Sequence, residues 1–214
     1  MDAALRGLSD EVDLATQRLL DDARTLTEDD LRGPSRLPGW TRAHVLAHLA
    51  RGADAMRNVL AGARLGEDRP GYASAQARDD AIEAGAALSA ADLMADLAES
   101  AMALRALSRL LPESAWQAPV RAGGAVPFPA AGLITRRLAE VELHHCDLAT
   151  GYGPDRWAAA FTTLELDEPL RSQRQERIGR RPGAEPESRS RPRPPASWRP
   201  GQPLPGSWIG RRQS

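Results

Sequence analysis

The stretch that most constrains this chain is residues 130–151, which reads AAGLITRRLAEVELHHCDLATG. Its apolar residues recur with a helical period, and Glu140 and His144, four positions apart, share one face of the predicted helix. The apolar arc beside them comprises Leu133, Ile134, Leu138, Val141 and Leu148. A carboxylate and an imidazole that face a core indicate a divalent metal, because both can reach one ion and a facing helix can supply the missing ligands.

The facing helix is predicted over residues 38–60, PGWTRAHVLAHLARGADAMRNVL, with Thr41 as its N-cap. His48 lies at the edge of its apolar arc, and Gly52, one turn later, leaves room beside the imidazole. His44 and His48 also form an H-x-x-x-H pair, but His44 lies outside the arc and is expected to be exposed. For His48 alone, a half-buried core histidine is the competing interpretation.

The periodicity along the rest of the chain predicts an all-α fold. Four long helical patterns, with no alternating strand pattern between them, are typical of a four-helix bundle. These patterns cover residues 9–26, 38–60, 89–111 and 130–151, a shorter helical stretch covers 75–87, and one more helix is predicted to start near residue 155.

Two segments, LPGWTRAHVLAHLARGADAM and RRLAEVELHHCDLATGYGP, resemble the mycothiol-dependent maleylpyruvate isomerase family. That family is a branch of the DinB-like metal-binding four-helix bundles, and the resemblance runs from the N-terminus to about Arg177. It implies that His48, Glu140 and His144 hold a zinc ion or another divalent metal. A structural or intrahelical role for the Glu140 and His144 pair remains the alternative.

The resemblance also implies a chemistry. Three protein ligands leave the fourth position of zinc open, where a thiol can bind and lose its proton. In the resembled family the thiol is mycothiol, which adds to the double bond of maleylpyruvate, a small dicarboxylate, and is eliminated after rotation to give fumarylpyruvate. An isomerase or thiol transferase is the prediction. The alternatives are a metal-binding or regulatory bundle without catalysis and an inactive, truncated family member.

Four further side chains are candidates for the site. Asp147, three residues after His144, is placed to orient its imidazole, although a surface carboxylate is an equal interpretation. Arg136 and Arg137 flank the Glu140 stripe one turn earlier and are candidates to bind a substrate carboxylate. Arg78 is a similar candidate, in a segment that resembles the family's pocket entrance. Each arginine can equally be solvated.

Composition limits the location and the partners. All 28 basic residues are Arg, which suggests a GC-rich, actinobacterial genome in agreement with a mycothiol partner. The single cysteine, Cys146, excludes an internal disulfide and a thiolate-rich zinc site, and we interpret it as a structural thiol. No signal peptide or membrane span is recognisable, so a cytoplasmic protein is expected. No membrane or specific nucleic-acid partner is predicted, and the sequence does not indicate an oligomeric state.

The C-terminal part differs in character from the bundle. From Arg171 onward there are 11 Arg against 3 acidic residues, and eight prolines fall between Pro182 and Pro205. Residues 1–177 are therefore predicted to form the bundle and residues 178–214 a disordered tail. A frameshift near Ile178 is the favoured explanation, and a genuine basic tail that touches nucleic acid is the other. Because the family continues into an α/β domain that completes the pocket, we expect weak or absent isomerase activity.

Overall fold

The computed structural model describes residues 1–122 and 126–179 of the 214-residue chain. Four long helices form the bundle: α1 (Ala3–Ala23), α3 (Arg42–Leu65), α5 (Ala90–Leu110) and α7 (Gly132–Asp147). Shorter helices connect and follow them: α2 (Glu28–Arg32), α4 (Ala75–Ala86), α6 (Glu113–Trp116), α8 (Ala159–Thr163) and α9 (Leu170–Gly179). The predicted all-α, DinB-like four-helix bundle is confirmed.

Side chains that cap backbone N–H groups mark the start of α1, α3 and α5. Thr41 and His44 form a reciprocal capping box at the start of α3, so His44 is half-buried rather than exposed. Ser89 caps α5, which agrees with the predicted start of this helical pattern at residue 89. Helix α1, however, begins at Ala3 because Asp2 accepts a 2.8 Å hydrogen bond from the N–H of Leu5. The predicted start at Ser9 was therefore too late.

Helix α3 is the centre of the bundle and packs against α4, α5 and α7, while α1 packs against α5 and α7. Small residues allow close approach of the backbones. A Cβ added at Gly85 of α4 would lie only 2.9 Å from the Cβ of Ala47 on α3. This contact fixes α4 directly beside the turn of α3 that carries His48.

The second half of α7 is enclosed on every side. All seven residues from Val141 to Asp147 are buried, including the ionisable residues Glu142, His144 and His145. A helix buried all round normally carries apolar residues only. Buried polar groups are stable only with partners, so each of these side chains must find one inside the bundle.

Two connections differ from the predictions. A short antiparallel hairpin, β1 (Pro119–Val120) with β2 (Phe128–Pro129), precedes α7 where only a loop was expected. The single helix predicted from residue 155 was wrong: a 3-10 turn at Pro154–Arg156 is followed by α8 and, separately, by α9. Pro169 lies between these helices and lacks the N–H that a continuous helix would need.

The predicted tail lies almost wholly outside the described residues. Ile178 and Gly179 still belong to α9, and residues 180–214 are not described. The predicted disorder and frameshift therefore stay predictions. Each helix in the two described ranges is too short or too polar to cross a membrane.

Candidate metal and substrate site

Two histidine rings from different helices meet inside the bundle. The ring centroids of His48 on α3 and His144 on α7 are 4.8 Å apart, with the planes at 89°. Both residues are buried, with 7% and 3% of their surface exposed. The ring of Trp40, just before α3, also contacts His48, with the centroids 5.6 Å apart. The helix phases read from the sequence thus bring the two predicted imidazoles into contact.

Asp147 holds the imidazole of His144. Its Oδ2 lies 3.1 Å from His144 Nδ1 and accepts a 2.7 Å hydrogen bond from Nη2 of Arg177 on α9. Burial raises the pKa of Asp147, but the hydrogen bond and charge of His144 and the charge of Arg177 outweigh it and hold the pKa below its usual range. An ionised Asp147 favours a proton on Nδ1 of His144, so that the lone pair lies on Nε2, the tautomer that suits metal binding.

Glu140 lies one turn before His144, and its carboxylate reaches α3 at Gly52. A Cβ added at Gly52 would lie 3.2 Å from Glu140 Oε2. Arg137 Nη1 is 3.8 Å from this oxygen, too far for a hydrogen bond. Glu140 Oε2 is buried and has no hydrogen-bond partner among residues 1–122 and 126–179. Since Gly52 follows His48 by one turn, the carboxylate lies next to the helix turn that carries this histidine.

The donor chemistry of these three side chains fits zinc. Imidazole nitrogens and a carboxylate oxygen are common zinc ligands. His48 Nδ1 and Glu140 Oε2 are both buried without a hydrogen-bond partner in the described ranges, which costs roughly 1–3 kcal/mol for each group. The side chains are not gathered around one point: no three His, Cys, Asp or Glu side chains in the described part of the chain are arranged to hold a metal ion. The side chains suited to bind zinc are thus present, but their ligand atoms do not converge on one point in this structure.

The charge state of His48 is set by its surroundings. Burial holds the pKa of His48 well below its usual range, and the charges of His144, Arg78 and Arg137 lower it further. His48 is therefore neutral near pH 7 and keeps a nitrogen lone pair, which a metal ligand requires.

Two of the three predicted arginines face this interior. Arg137 is 1% exposed and donates through Nη1 to the carbonyl of Leu49 at 2.8 Å. Arg78 is 6% exposed, and its Nη1 lies 2.6 Å from Asp79 Oδ1. The other terminal nitrogen of each guanidinium, Nη2, is buried and has no acceptor among the residues that the structure describes. Each is thus a buried cation with hydrogen-bonding capacity left over.

The third arginine, Arg136, lies elsewhere. Its guanidinium carbon lies over the ring of Phe128, 4.6 Å from the centroid. Both residues line a cavity of about 840 Å³ between the start of α1, the hairpin and the α8–α9 segment. His48, His144 and Glu140 do not line this cavity. The structure does not bring Arg136 to the histidine pair.

Tyr72, in the loop before α4, is a residue of this interior that helical periodicity does not reveal. Gly71 packs so closely on α3 that an added Cβ would lie 3.0 Å from the Cβ of Ala55, and its carbonyl accepts from Asn58 Nδ2 at 3.2 Å. The hydroxyl of Tyr72 is buried and without a hydrogen-bond partner within the described ranges. Burial, with the charge of Glu140, raises its pKa. A signal existed: this is one of only two tyrosines, in an otherwise polar loop.

The other ionisable residues of α7 point toward α1. His145 Nε2 lies 2.9 Å from Asp22 Oδ2, and its ring stacks on Tyr152 with the centroids 3.6 Å apart. Glu142 accepts a 2.9 Å hydrogen bond from Arg18 and another from the hydroxyl of Tyr152. His145 therefore faces α1, whereas its neighbour His144 faces His48 on α3.

Cys146 is fully buried in the larger apolar cluster of the bundle. Burial raises the pKa of its thiol to about 12, so the reactive thiolate is not formed near neutral pH. This agrees with its interpretation as a structural thiol.

The fold and the site define a four-helix bundle that carries imidazole, carboxylate and guanidinium groups in its interior. The chain belongs to the family described as the mycothiol maleylpyruvate isomerase N-terminal domain, whose family model matches residues 12–149. The resemblance seen in the two sequence segments is thereby confirmed.

Two solved structures are similar to this chain. One is the crystal structure of the mycothiol-dependent maleylpyruvate isomerase, with a TM-score of 0.71, and the other is that of a mutant in which a histidine is replaced by alanine, with a TM-score of 0.70. Each is 27% identical over 73% of this chain. The chain spans 65% of the length of these solved chains. No curated protein matches it.

Proposed function

We propose that this chain is a zinc-dependent enzyme that uses mycothiol, an isomerase or thiol transferase of the maleylpyruvate isomerase type. The observation that carries the proposal is the contact between His48 and His144, with Glu140 Oε2 one turn away. This oxygen has no hydrogen-bond partner in the described ranges and lies 3.8 Å from Arg137 Nη1. The family assignment supports the thiol and the substrate class. Because the reaction needs a reduced thiol, which the cytoplasm maintains, we propose a cytoplasmic location.

His48, Glu140 and His144 would hold the zinc ion, and Asp147 would orient the ring of His144. A zinc ion held by these residues would lower the pKa of a bound thiol, so that thiolate would form near neutral pH. Another divalent ion with similar ligand preferences could replace zinc. Cys146 cannot act as the nucleophile because burial keeps it protonated, so the thiol must come from a small molecule.

The residues of the chain do three things in this proposal. Burial keeps His48 neutral, so that a lone pair is available. Asp147 fixes the proton of His144 on Nδ1. Arg78 and Arg137 each have a buried Nη2 group without an acceptor among the described residues. These two groups would bind the carboxylates of a small dicarboxylate.

In the proposed reaction the thiolate of mycothiol would add to one carbon of the cis double bond and would leave after rotation about the resulting single bond. The product is the trans isomer, and the thiol is regenerated, so no atoms are gained or lost. The negative charge that the addition places on the substrate would be stabilised by the two guanidinium groups.

The test combines metal analysis with turnover. The purified full chain is loaded with zinc, and the formation of fumarylpyruvate from maleylpyruvate is followed with and without mycothiol. Zinc at one equivalent and thiol-dependent turnover support the proposal. Zinc binding without turnover favours the alternative, a metal-binding bundle without catalysis. A chain that neither binds zinc nor turns over substrate would refute the proposal.

A further inference from the structure

The unpartnered polar atoms of this interior divide into two groups. Glu140 Oε2 and His48 Nδ1 are buried and have no hydrogen-bond partner within the described ranges. A bound cation would satisfy both atoms. Besides Nε of Arg51, whose guanidinium already pairs with Asp54 and Asp96, three others in the described ranges are donors: Nη2 of Arg78, Nη2 of Arg137 and the hydroxyl of Tyr72. A metal ion leaves the donors unsatisfied. They call for an acceptor, and two of them carry positive charge, so the acceptor they select is an anion.

The packing of α4 on α3 brings the donors to the same part of the bundle. Gly85 contacts Ala47, and Gly71 contacts Ala55, so α3 and the segment 71–85 run antiparallel. Arg78 precedes Gly85 by seven residues, about two helical turns, which places it beside the part of α3 just after His48.

Arg137 reaches this part of α3 from the opposite helix. Its Nη1 lies 3.7 Å from a Cβ added at Gly52. Tyr72 is held nearby because Gly71 is pinned to α3 by its contact with Ala55 and its hydrogen bond from Asn58. The three donors therefore approach the Gly52 turn of α3 from the loop, from α4 and from α7.

We propose that Tyr72 is a substrate-positioning residue whose hydroxyl, with Nη2 of Arg78 and of Arg137, forms a receptor for a carboxylate of a small cis-dicarboxylate. The inference rests on the proposed function, from which it takes the substrate class. It adds a neutral donor to the two cations. A carboxylate offers about four lone-pair sites and can accept from all three groups.

The surroundings of Tyr72 keep it a donor. Burial raises its pKa, and the negative charge of Glu140 raises it further, against the opposing charges of Arg78 and Arg51. The phenol is therefore protonated throughout the working pH range. A hydroxyl fixed by its loop favours one orientation of the bound carboxylate, whereas the arginines alone supply charge.

The experiment compares two tyrosines. Isothermal titration calorimetry measures the binding of maleate, and of the uncharged maleamide of the same shape, to the zinc-loaded full chain. Tyr72→Phe removes only the hydroxyl and is expected to weaken maleate binding about tenfold, in the range measured for hydrogen bonds to charged groups. Tyr152→Phe makes the same change on the α1 side of α7 and is expected to leave maleate affinity unchanged.

A purely structural role for Tyr72 predicts a different pattern. It would lower the melting temperature and weaken both ligands equally, whereas a positioning role reduces the preference for maleate over maleamide and leaves the zinc content unchanged. If the variant turns over maleylpyruvate, its KM should rise more than its kcat falls. Unchanged maleate affinity in Tyr72→Phe, equal loss for the two ligands, or no maleate binding by the wild type would overturn the inference.

The outcome for Tyr72 is separable from that for the proposed function. Wild-type turnover with an unaffected Tyr72→Phe variant would leave the function standing and remove the inference. Maleate binding that depends on Tyr72, in a chain without thiol-dependent turnover, would keep the anion receptor and remove the proposed isomerase.

Discussion

Arg177 donates a 2.7 Å hydrogen bond from Nη2 to the same oxygen of Asp147 that lies 3.1 Å from Nδ1 of His144. Both Arg177 and Asp147 are buried. Arg177 belongs to α9, which follows the bundle, so a segment beyond the four helices is joined to the histidine pair through one carboxylate. Breaking a buried ion pair by removing one partner is strongly destabilising, since the other charge stays buried.

Arg177→Gln is therefore expected to weaken zinc binding by up to about 10-fold, the lower end of the effect for a group that directly supports a metal ligand, because Arg177 acts through Asp147. Competition with a chromogenic chelator measures the affinity. Arg171→Gln, on the same helix but more than half exposed, is the control and should bind zinc like the wild type. Equal zinc affinity in both variants would show that Asp147 holds His144 without help from Arg177.

His48→Ala is expected to remove most of the bound zinc while the helical content stays nearly intact. The bundle takes its stability from its apolar contacts, and an open site with three ligands adds little to the fold. Metal analysis and circular dichroism measure the two quantities. His44→Gln is the matched control: Gln keeps the capping box of α3, and His44 pairs with Glu83 rather than with His144. Loss of helicity together with zinc would mean that the site is structural.

Gly52→Ala tests whether zinc binding requires the space beside the carboxylate of Glu140. The new Cβ would lie 3.2 Å from Glu140 Oε2, so the carboxylate must move away from α3. We expect zinc affinity to fall severalfold, while the free energy of unfolding stays equal or rises by up to about 1 kcal/mol, because alanine favours a helix. Gly7→Ala is the control, since its Cβ meets nothing within 4 Å, and it should stabilise α1 without changing zinc affinity. Unaltered zinc affinity in Gly52→Ala would separate Glu140 from the metal.

His145 predicts a dependence of stability on pH in the metal-free protein. Burial lowers the pKa of His145 from 6.5 to about 4, against the opposing contact with Asp22 and in agreement with the charges of Arg156 and Arg18. Below pH 6.5 the unfolded chain binds a proton that the folded chain does not. The free energy of unfolding is therefore unaffected by protonation of His145 above pH 6.5, and it decreases as the pH falls from 6.5 toward 4.

Urea unfolding at pH 7.5 and at pH 5 measures this loss. Between these values the wild type should lose about 1–2 kcal/mol more free energy of unfolding than His145→Gln, which does not titrate. Parallel losses in the two proteins would show that His145 is accessible to protons in the folded state.

The long helices and the faces that carry His48 and His144 could be predicted from the sequence, because helical phase determines which side chains share a face. That these two faces meet is implied by the family resemblance rather than by periodicity. The spacing of four residues from Glu140 distinguishes His144 from its neighbour His145, and in the structure His144 contacts α3 whereas His145 contacts α1. This spacing depends on local sequence only and does not require knowledge of the packing partner.

What could not be predicted depends on long-range packing. Tyr72 and Arg177 lie in a loop and in a late helix, and only the docking of these segments against the bundle brings them inside. Arg136 and Arg137 are neighbours in sequence, yet the 100° between consecutive helical residues sends one to the outer cavity and the other to the core. Pro169 marks the break between α8 and α9 in the sequence, because proline lacks the N–H that a continuous helix needs.

The contacts around the enclosed second half of α7 fix the rotation of this helix about its axis, and with it the direction in which His144 points. Glu142 and His145 are bound to Arg18 and Asp22 of α1, while His144 faces His48 on the other side. Turning α7 by one residue, about 100°, would break both ionic contacts at once, so the helix has a single rotational setting. The spacing of the two imidazoles is thus partly determined by α1, and substitutions in that helix can alter the site without contacting it.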